Sequence, residues 1–446
     1  MRMILLISRI LVGATFIISG LIKANDPLGF SYKLEEYFAE SALGLPGLMP
    51  YALYLAILAC LAEVVLGFAV LVGGRMKLAT WSLLGLTLFF GWLTAYTATC
   101  DPFAKYEVLV NGVAEMRDVT CVTDCGCFGD AMKGSLGRSL TPWESFSKDM
   151  ILLVFVLPLF FFRKRIQFNT WGDDLAILPA TLALLAFYCW VFSWWFPLVF
   201  TIVVLAGYLL LKKIVEEPKG EWATAAWVAI GTAAFMWYTI TYLPIRDYRP
   251  YAVGKSIVEQ QQDARPPTNL TYVTYINKQT GEEKEYLTTE PYPWDDPNYE
   301  FKENSTRVKT VDPGVPSQVQ DFVLFNSDGD DMTDDILHDG APVLLVVAKT
   351  IREARTACQP EINKLAEDAM KAGWKVYGLT SSSYDESEDF RHANQNPFEY
   401  LTCDEVTLKT VIRSNPGVVL LQEGTVRGKW PCRRVPSLAK AAKSLH

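Results

Sequence analysis

The chain has 446 residues, of which half are hydrophobic, and its formal net charge is −8. This length leaves room for about three domains. The charge lies mostly in an acidic carboxy-terminal part, and no basic cluster of the kind that a phosphate backbone requires is present, which argues against nucleic acid as a partner.

The first 243 residues contain seven nearly uninterrupted apolar runs. Most are close to the roughly 20 residues that a membrane-spanning helix needs. Ser193-Trp194-Trp195 alone separates the fifth run from the sixth, so a single re-entrant pair is an alternative there. The runs are Met3–Ile22, Tyr51–Gly73, Leu78–Thr97, Asp149–Phe162, Leu175–Phe192, Phe196–Leu211 and Trp222–Leu243.

Basic residues in the short loops predict the orientation of these spans, because cytoplasmic loops carry an excess of Lys and Arg. They place the amino terminus in the cytoplasm and, with seven spans, everything after Leu243 outside. We therefore expect a multi-pass protein of a bacterial inner membrane, in contact with the lipid bilayer, with a periplasmic carboxy-terminal domain. The basic residues are Arg75, Lys77, Arg163-Lys164-Arg165 and Lys212-Lys213.

Glu63 is a carboxylate deep in the second apolar run. An ionisable group at this depth is costly, so it should face the bundle interior and have a partner. Arg9 is one candidate partner, and Lys23 with Asp26 forms another local ion set. Glu63 is either an intramembrane helper at a proton or quinone site or one half of a structural interhelical bond. No cofactor is fixed by the sequence, and a quinone is the candidate.

The loop of residues 98–147 carries Cys100, Cys121, Cys125 and Cys127, the last two in the stretch CGCFGD. Four cysteines allow three complete pairings. A direct Cys125–Cys127 bond closes a very small ring and should be strained and easily reduced, which suits thiol–disulfide exchange. A Cys100–Cys121 bond would tie the loop ends together. Two purely structural disulfides are the alternative reading.

A metal site is not favoured in this loop, because the spacing lacks paired CxxC geometry and the loop has no histidine. Cys60 and Cys189 fall inside spans, where a thiol usually acts as a small buried apolar group. The other seven cysteines all lie on the outer side in the predicted topology. That distribution agrees with an oxidising compartment.

A polar connector, residues 244–316, contains a hairpin-like patch in which two alternating runs flank Lys278–Gly281. Residues 317–446 then alternate strand and helix signals in the pattern of a thioredoxin-like α/β fold. The predicted strands are Gln320–Phe325, Val343–Val347, Lys375–Leu379, Gly417–Leu421 and Thr425–Gly428, and the predicted helices are Ala354–Ala372, Thr407–Arg413 and Pro436–Ser444.

This last domain departs from the usual thioredoxin pattern. Arg352-Glu353-Ala354-Arg355 stands where the catalytic CxxC belongs, a pair whose first thiol is activated by a helix amino terminus. Cys358, Cys403 and Cys432 are expected to be structural or buried. Pro416, in Ser-Asn-Pro-Gly, occupies the place of the cis-proline beside the peptide groove. We expect Arg352, Arg355 and Pro416 to mark a degenerate binding site rather than a catalytic one.

Two parts of the chain resemble known families. SGLIKANDPLGFSYKLEEYF, CGCFGD and LTPWESFSKDMILL resemble the MauE branch of the DoxX-like membrane proteins over residues 1–165. The second half resembles the TlpA-type thioredoxin-like domain that accompanies this module in Bacteroidetes-type proteins, with LPIRDYRPYAVG as the junction. The resemblance implies a four-helix membrane bundle with roles in periplasmic thiol–disulfide handling and protein maturation.

The sequence thus predicts an α-helical membrane bundle of about seven spans joined to an α/β thioredoxin-like domain. Its predicted parts are a four-helix module at 1–165, three further helices at 166–243, a β-rich connector at 244–316 and the thioredoxin-like domain at 317–446. One hypothesis is a thiol–disulfide oxidoreductase that uses Cys125 and Cys127 on a periplasmic or secreted client. The other is a non-enzymatic scaffold or assembly factor with structural disulfides.

Overall fold

The computed structural model describes residues 1–445 apart from 102–103, 111–112, 123–125, 127, 129–130, 133–138, 263–264, 266–267, 303–304, 313–316, 318 and 320. The chain divides into two compact units. The first consists of Met1–Arg249 with the short segments Ile412–Gly417 and Trp430–Val435, and the second of Pro250–Val411, Val418–Lys429 and Pro436–His446. The finer division into four parts stays a prediction.

Long helices dominate the first unit, and six stretches within its described residues are long and apolar enough to cross a membrane. Six of the seven predicted spans coincide with these stretches, whereas the fourth, Asp149–Phe162, falls on a helix outside them. The fifth and sixth are two separate helices of 21 and 19 residues. The helices are α1 (Arg2–Asn25), α2 (Pro27–Phe38), α3 (Ala52–Val72), α4 (Met76–Thr99), α5 (Pro142–Phe161), α6 (Trp171–Val191), α7 (Phe196–Ile214) and α8 (Lys219–Thr241). Two short strands, β1 (Lys105–Val110) and β2 (Val113–Asp118), form a hairpin between α4 and α5.

Helix α5 is the long helix outside the six membrane-spanning candidates. Its first half carries Glu144, Lys148 and Asp149, more charged side chains than any of the six candidates has within its apolar 18-residue window. A capping box starts it: Glu144 N–H donates to Thr141 Oγ1 (3.2 Å), and Thr141 N–H donates to Glu144 Oε2 (2.8 Å). Helix α5 packs along α4 and α1, which buries Asp149, whereas Glu144 at its start is exposed.

Helices α1 and α3 approach each other closely because glycines line their contact. A Cβ at Gly20 would lie 2.7 Å from Val64 Cγ2 and 3.0 Å from Glu63 Cβ. A Cβ at Gly67 would lie 2.9 Å from the carbonyl oxygen of Gly13. Small residues permit such backbone approach between membrane helices. This contact sets the axial register that places Glu63 opposite the second half of α1.

Replacing Gly20 with valine is expected to lower the melting temperature of the detergent-solubilised protein clearly, because the added methyl groups overpack the α1–α3 contact at a cost of about 1–3 kcal/mol. Gly85→Val is the matched control, since Gly85 is exposed on α4 and a Cβ there meets no atom within 4 Å. Equal melting temperatures for the two variants would contradict this account of helix packing.

The bundle has two distinguishable ends. The basic end carries Arg75, Arg163–Arg165 and Lys212-Lys213, and contacts hold its parts together: Arg75 N–H donates to Glu221 Oε2 at 2.8 Å, and Asn169 N–H donates to the Val72 carbonyl at 2.9 Å. The loop end is the opposite one, where residues 98–147 join α4 to α5. There Tyr37 Oη and Thr97 Oγ1 share a buried hydrogen bond of 2.8 Å.

The second unit contains a five-stranded mixed sheet in the order β11-β10-β7-β8-β9, in which four strands match predicted ones and β9 was not predicted. Strands β7, β8 and β9 are parallel, and all five residues of β7 are buried, as a central apolar strand requires. The fold class is confirmed: a helical membrane bundle with an α/β thioredoxin-like domain. The strands are β7 (Val343–Val347), β8 (Lys375–Thr380), β9 (Tyr400–Thr402), β10 (Gly417–Gln422) and β11 (Thr425–Pro431).

Several elements of this unit differ from the sequence prediction. The helix expected from Ala354 begins only at Gln359, because two short 3-10 turns precede it and a proline opens its first turn. The predicted strand Gln320–Phe325 is not formed by its described residues 321–325, where Phe325 makes only isolated bridges. The helices are α9 (Ile257–Gln262), α10 (Thr333–Leu337), α11 (Gln359–Lys371), α12 (Tyr384–Asn394), α13 (Glu405–Val411) and α14 (Leu438–Ala442).

The connector contributes a small antiparallel sheet centred on β3, which pairs with β4, β5 and β6. The hairpin predicted around Lys278–Gly281 is present, and Gly281 supplies a positive φ of 70° at its turn. The strands are β3 (Thr268–Asn277), β4 (Glu283–Leu287), β5 (Tyr299–Phe301) and β6 (Arg307–Asp312).

Candidate functional site

Glu63 lies inside the bundle, as its sequence context predicts, and is 2 % exposed. Its Oε1 atom accepts from the ammonium group of Lys23, which projects from the last turns of α1. Both side chains are 3 % exposed, so this is a buried ion pair rather than a surface contact. The Lys23 ammonium also lies 4.5 Å from the centre of the Phe90 ring, a cation–π contact.

Arg9, the other candidate partner of Glu63, binds elsewhere. Its Nε donates to the Val70 carbonyl at 2.9 Å, and its Nη2 donates to the Leu71 carbonyl at 2.7 Å and to the Asn169 side chain. These carbonyls belong to the last turn of α3, where a helix leaves acceptors unsatisfied and a cation is favourable. Arg9 therefore caps α3 at the basic end.

A second ion pair lies near the first. Asp149 accepts from the Lys148 ammonium at 2.7 Å and from Thr94 Oγ1 of α4 at 3.1 Å. Asp149 is 3 % exposed, whereas the Lys148 side chain is 26 % exposed. Asp149 stands at the start of a predicted span, and the high cost of a carboxylate in an apolar run, which singles out Glu63, applies to Asp149 as well.

The two ion pairs line one small cavity between α1, α3, α4 and α5. Its volume is about 30 Å³, enough for about two water molecules. Ser19, Thr87 and Phe90 also contribute to its wall. A quinone ring is larger than two waters, so this cavity does not fit the quinone that the sequence suggested.

Cys125 and Cys127 lie outside the described residues, but two neighbours in CGCF are described. Gly126 has a positive φ of 64°, and a Cβ there would lie 3.1 Å from Lys33 Cγ on α2. The Phe128 ring lines the cavity, with Lys148 Nζ 5.2 Å from its centre. The same loop contains a disulfide between Cys100 and Cys121, one of the pairings that the sequence left open.

Three residues of the stretch Lys23-Ala24-Asn25-Asp26 each bind a different part of the first unit. Lys23 forms the ion pair with Glu63. Asn25 is buried, and its Oδ1 accepts from the backbone N–H groups of Ile245 and Arg246 at 2.9 and 3.2 Å. Asp26 accepts from Gly29 N–H (2.9 Å) at the start of α2 and pairs with Arg413 (2.9 Å) of the segment Ile412–Gly417 in the same unit. Sequence reasoning missed Asn25, because a neutral side chain at a helix end gives no signal.

The thioredoxin-like position carries no thiol. Arg352 is exposed and donates two hydrogen bonds to Glu386 Oε1, at 2.6 and 2.9 Å. Arg355 is also exposed. Pro416 is buried and follows a cis peptide bond.

The remaining cysteines of this region are not reactive thiols. Cys358 and Cys432 are both disulfide-bonded. Cys403 is free, and burial together with Asp404 raises the pKa of its thiol to about 12. A thiol with this pKa stays protonated near neutral pH and is a poor nucleophile. Cys60 and Cys189 are free and buried within membrane helices.

The described parts define a multi-pass membrane protein that carries an α/β domain. Residues 1–101 match the family model of methylamine utilisation protein MauE, which supports a MauE-like membrane module. No curated protein matches the chain.

Among solved structures, the bacterioferritin comigratory protein of Xanthomonas campestris is 21% identical, covering 29% of this chain and 91% of that protein, with a TM-score of 0.22. A cysteine mutant of PrxQ from Xylella fastidiosa is 15% identical, covering 29% of this chain and 89% of its own, with a TM-score of 0.21.

Proposed function

We propose that this protein exchanges thiols and disulfides with a client protein through Cys125 and Cys127. In each cycle the Cys125–Cys127 disulfide accepts two electrons and two protons from a client dithiol, which leaves two thiols here and one disulfide in the client. The reverse reaction reduces a client disulfide with the same balance. The first thiolate attacks a disulfide sulfur through a mixed disulfide, as in other exchange reactions.

One observation carries this proposal. The residue between the two cysteines, Gly126, lies so close to α2 that an added Cβ would be 3.1 Å from Lys33 Cγ. The residue after the second cysteine, Phe128, lines the charged cavity that Lys23 and Glu63 share. The described neighbours of Cys127 therefore lie beside the bundle, and a purely structural loop would not need to lie beside buried ionisable groups.

The exchange requires an oxidising compartment, and we place the loop end on the periplasmic face of a bacterial inner membrane. The charge distribution supports this, because Arg75, Arg163–Arg165 and Lys212-Lys213 gather at the opposite end, as cytoplasmic positions do. The Cys100–Cys121 disulfide at the loop end also supports it, since disulfides persist outside the cytosol. The client is then a periplasmic or secreted protein.

The test is a redox titration of the membrane-embedded protein in glutathione buffers, followed by alkylation and mass-spectrometric mapping of each cysteine. We expect Cys125 and Cys127 to change between disulfide and dithiol at about −180 to −210 mV, while Cys100–Cys121 stays oxidised, as structural disulfides do. The variant Cys127→Ser should abolish exchange with a model dithiol peptide, and Cys189→Ser, which removes a buried membrane thiol, should leave it unchanged. A Cys125–Cys127 pair that resists strong reductant would remove the proposal.

A scaffold function is the second candidate, and the thioredoxin-like domain favours it. The position of the usual CxxC holds Arg352, which pairs with Glu386, and the only free cysteine described in that domain, Cys403, is protonated. Such a domain supplies binding without redox chemistry of its own. The same titration separates the two candidates, because a scaffold predicts that no outer cysteine changes state.

A further inference from the structure

The cavity between the two ion pairs contains polar atoms that no protein group satisfies. Glu63 Oε2 and Thr87 Oγ1 are both fully buried, and neither finds a hydrogen-bond partner among the residues that the structure describes. Both side chains line the same cavity. Glu63 is 2 % exposed and so is Thr87, so bulk solvent does not satisfy them either.

Leaving these atoms unpaired would be costly. A buried polar group without a hydrogen bond costs about 1–3 kcal/mol, and a carboxylate oxygen costs more because it is charged. The cavity has room for about two waters and has more than two polar groups around it, the conditions under which buried water is retained. A dry cavity of this size would instead be lined by apolar side chains.

We propose that this cavity is hydrated and that Glu63 exchanges a proton with its water, which makes it a proton-accessible site in the middle of the membrane bundle. The step is a transfer from hydronium to Glu63 Oε2, which leaves a neutral carboxylic acid and one water. Lys23 keeps its contacts with Glu63 Oε1 and with Ser19 Oγ (3.3 Å) throughout. This site goes beyond the proposed thiol exchange and does not depend on it.

The net charge of the groups around the cavity is compatible with reversible binding of one proton. The charged groups among the described residues that line it are Glu63 from α3, Lys23 from α1, and Lys148 with Asp149 from α5. The formal charges of these four side chains sum to zero, so one bound proton gives the cavity lining a net charge of +1. Helix α4 faces the cavity with Thr87 and Phe90, and Cys60 is the other ionisable group one turn from Glu63 on α3.

The Lys148–Asp149 pair gives the direction of access, because Lys148 is the most exposed of the four charged side chains. The Lys148 side chain is 26 % exposed and lies beside Phe128 of the loop, whereas Lys23 and Glu63 are 3 % exposed. Water therefore enters from the loop end, past Lys148 and Asp149, and reaches Glu63 last.

Asp174 provides an internal control. It is a buried membrane carboxylate with a lysine partner, like Glu63, but both of its oxygens are occupied. Its Oδ1 accepts from Asn169 Nδ2 (2.8 Å) and Tyr208 Oη (3.0 Å), and its Oδ2 accepts from Tyr208 Oη (3.1 Å) and Lys212. A reagent that detects buried, protonatable carboxylates should distinguish Glu63 from Asp174.

The first measurement is labelling of the wild-type protein in membranes with dicyclohexylcarbodiimide, which modifies protonated carboxyl groups in apolar surroundings, followed by mass-spectrometric mapping. We expect Glu63 to be labelled at least about tenfold more than Asp174, because Glu63 Oε2 has no hydrogen-bond donor among the described residues, whereas both oxygens of Asp174 have one. Equal labelling of Glu63 and Asp174, or none at Glu63, would overturn the proposal.

The second measurement tests the water directly. Hydroxyl radicals generated by X-ray radiolysis are no larger than water, and they should oxidise Thr87→Cys at least about tenfold faster than Thr80→Cys, because they form from the water beside the side chain. Thr80 is the matched control: it is fully buried on the same helix, and its hydroxyl donates to the Met76 carbonyl at 2.7 Å. Equal rates would mean that the cavity is dry.

The two proposals can fail separately. Carbodiimide labelling of Glu63 should persist in Cys127→Ser, in which thiol exchange is lost. Labelling that disappears in this variant would show that the cavity depends on the thiol pair and would contradict an independent proton site.

Discussion

Lys23→Met is expected to destabilise the membrane bundle by about 3–5 kcal/mol, because it leaves the Glu63 carboxylate buried without its counter-charge. Met has about the length of the lysine stem, so the substitution removes charge while keeping most of the packing against Phe30 and Phe90. The free energy of unfolding can be followed by tryptophan fluorescence during titration with SDS in mixed micelles.

The double variant Lys23→Met/Glu63→Met should recover most of this loss, because replacing both members of a buried ion pair by apolar groups is often neutral or stabilising. The pair then shows a large coupling energy in a double-mutant cycle. A double variant as unstable as Lys23→Met alone would mean that Glu63 does not depend on Lys23.

The sequence identified Glu63 but could not choose its partner. A lone carboxylate in an apolar run is visible without any structure, because the membrane makes it costly. Arg9 and Lys23, however, lie on the same helix about four turns apart, and either could meet Glu63 at some axial position of α1. The close contact of Gly20 with Val64 fixes that position, and it is a tertiary contact that no local pattern encodes.

The elements that could be predicted from the sequence are those formed by long apolar runs. Apolar runs gave the membrane helices and strand β7, whose five residues are all buried. Helix α12 was missed because its residues YDESEDFRHAN have no apolar periodicity and Ser387 is its buried residue. Strand β9 was missed because three residues are too few to show an alternation.

Arg9→Met is the second substitution with a large expected effect. It leaves the Val70 carbonyl and Asn169 Oδ1 without the donors that Arg9 supplies, whereas the Leu71 carbonyl keeps Asn169 Nδ2 at 3.0 Å. Two buried acceptors that lose their donors cost about 1–3 kcal/mol each, so we expect a loss of about 2–6 kcal/mol in the same SDS titration.

Glu63, for which the sequence suggested Arg9 as a candidate partner, provides the control for Arg9→Met. Adding Glu63→Met to Arg9→Met should not restore stability, because the Arg9 donors go to the end of α3 and not to Glu63. The two substitutions should add within about 0.5 kcal/mol, as independent sites do. A coupling between Arg9 and Glu63 as large as that between Lys23 and Glu63 would require a different axial position of α1 against α3, and the charged cavity would then be assembled from other residues.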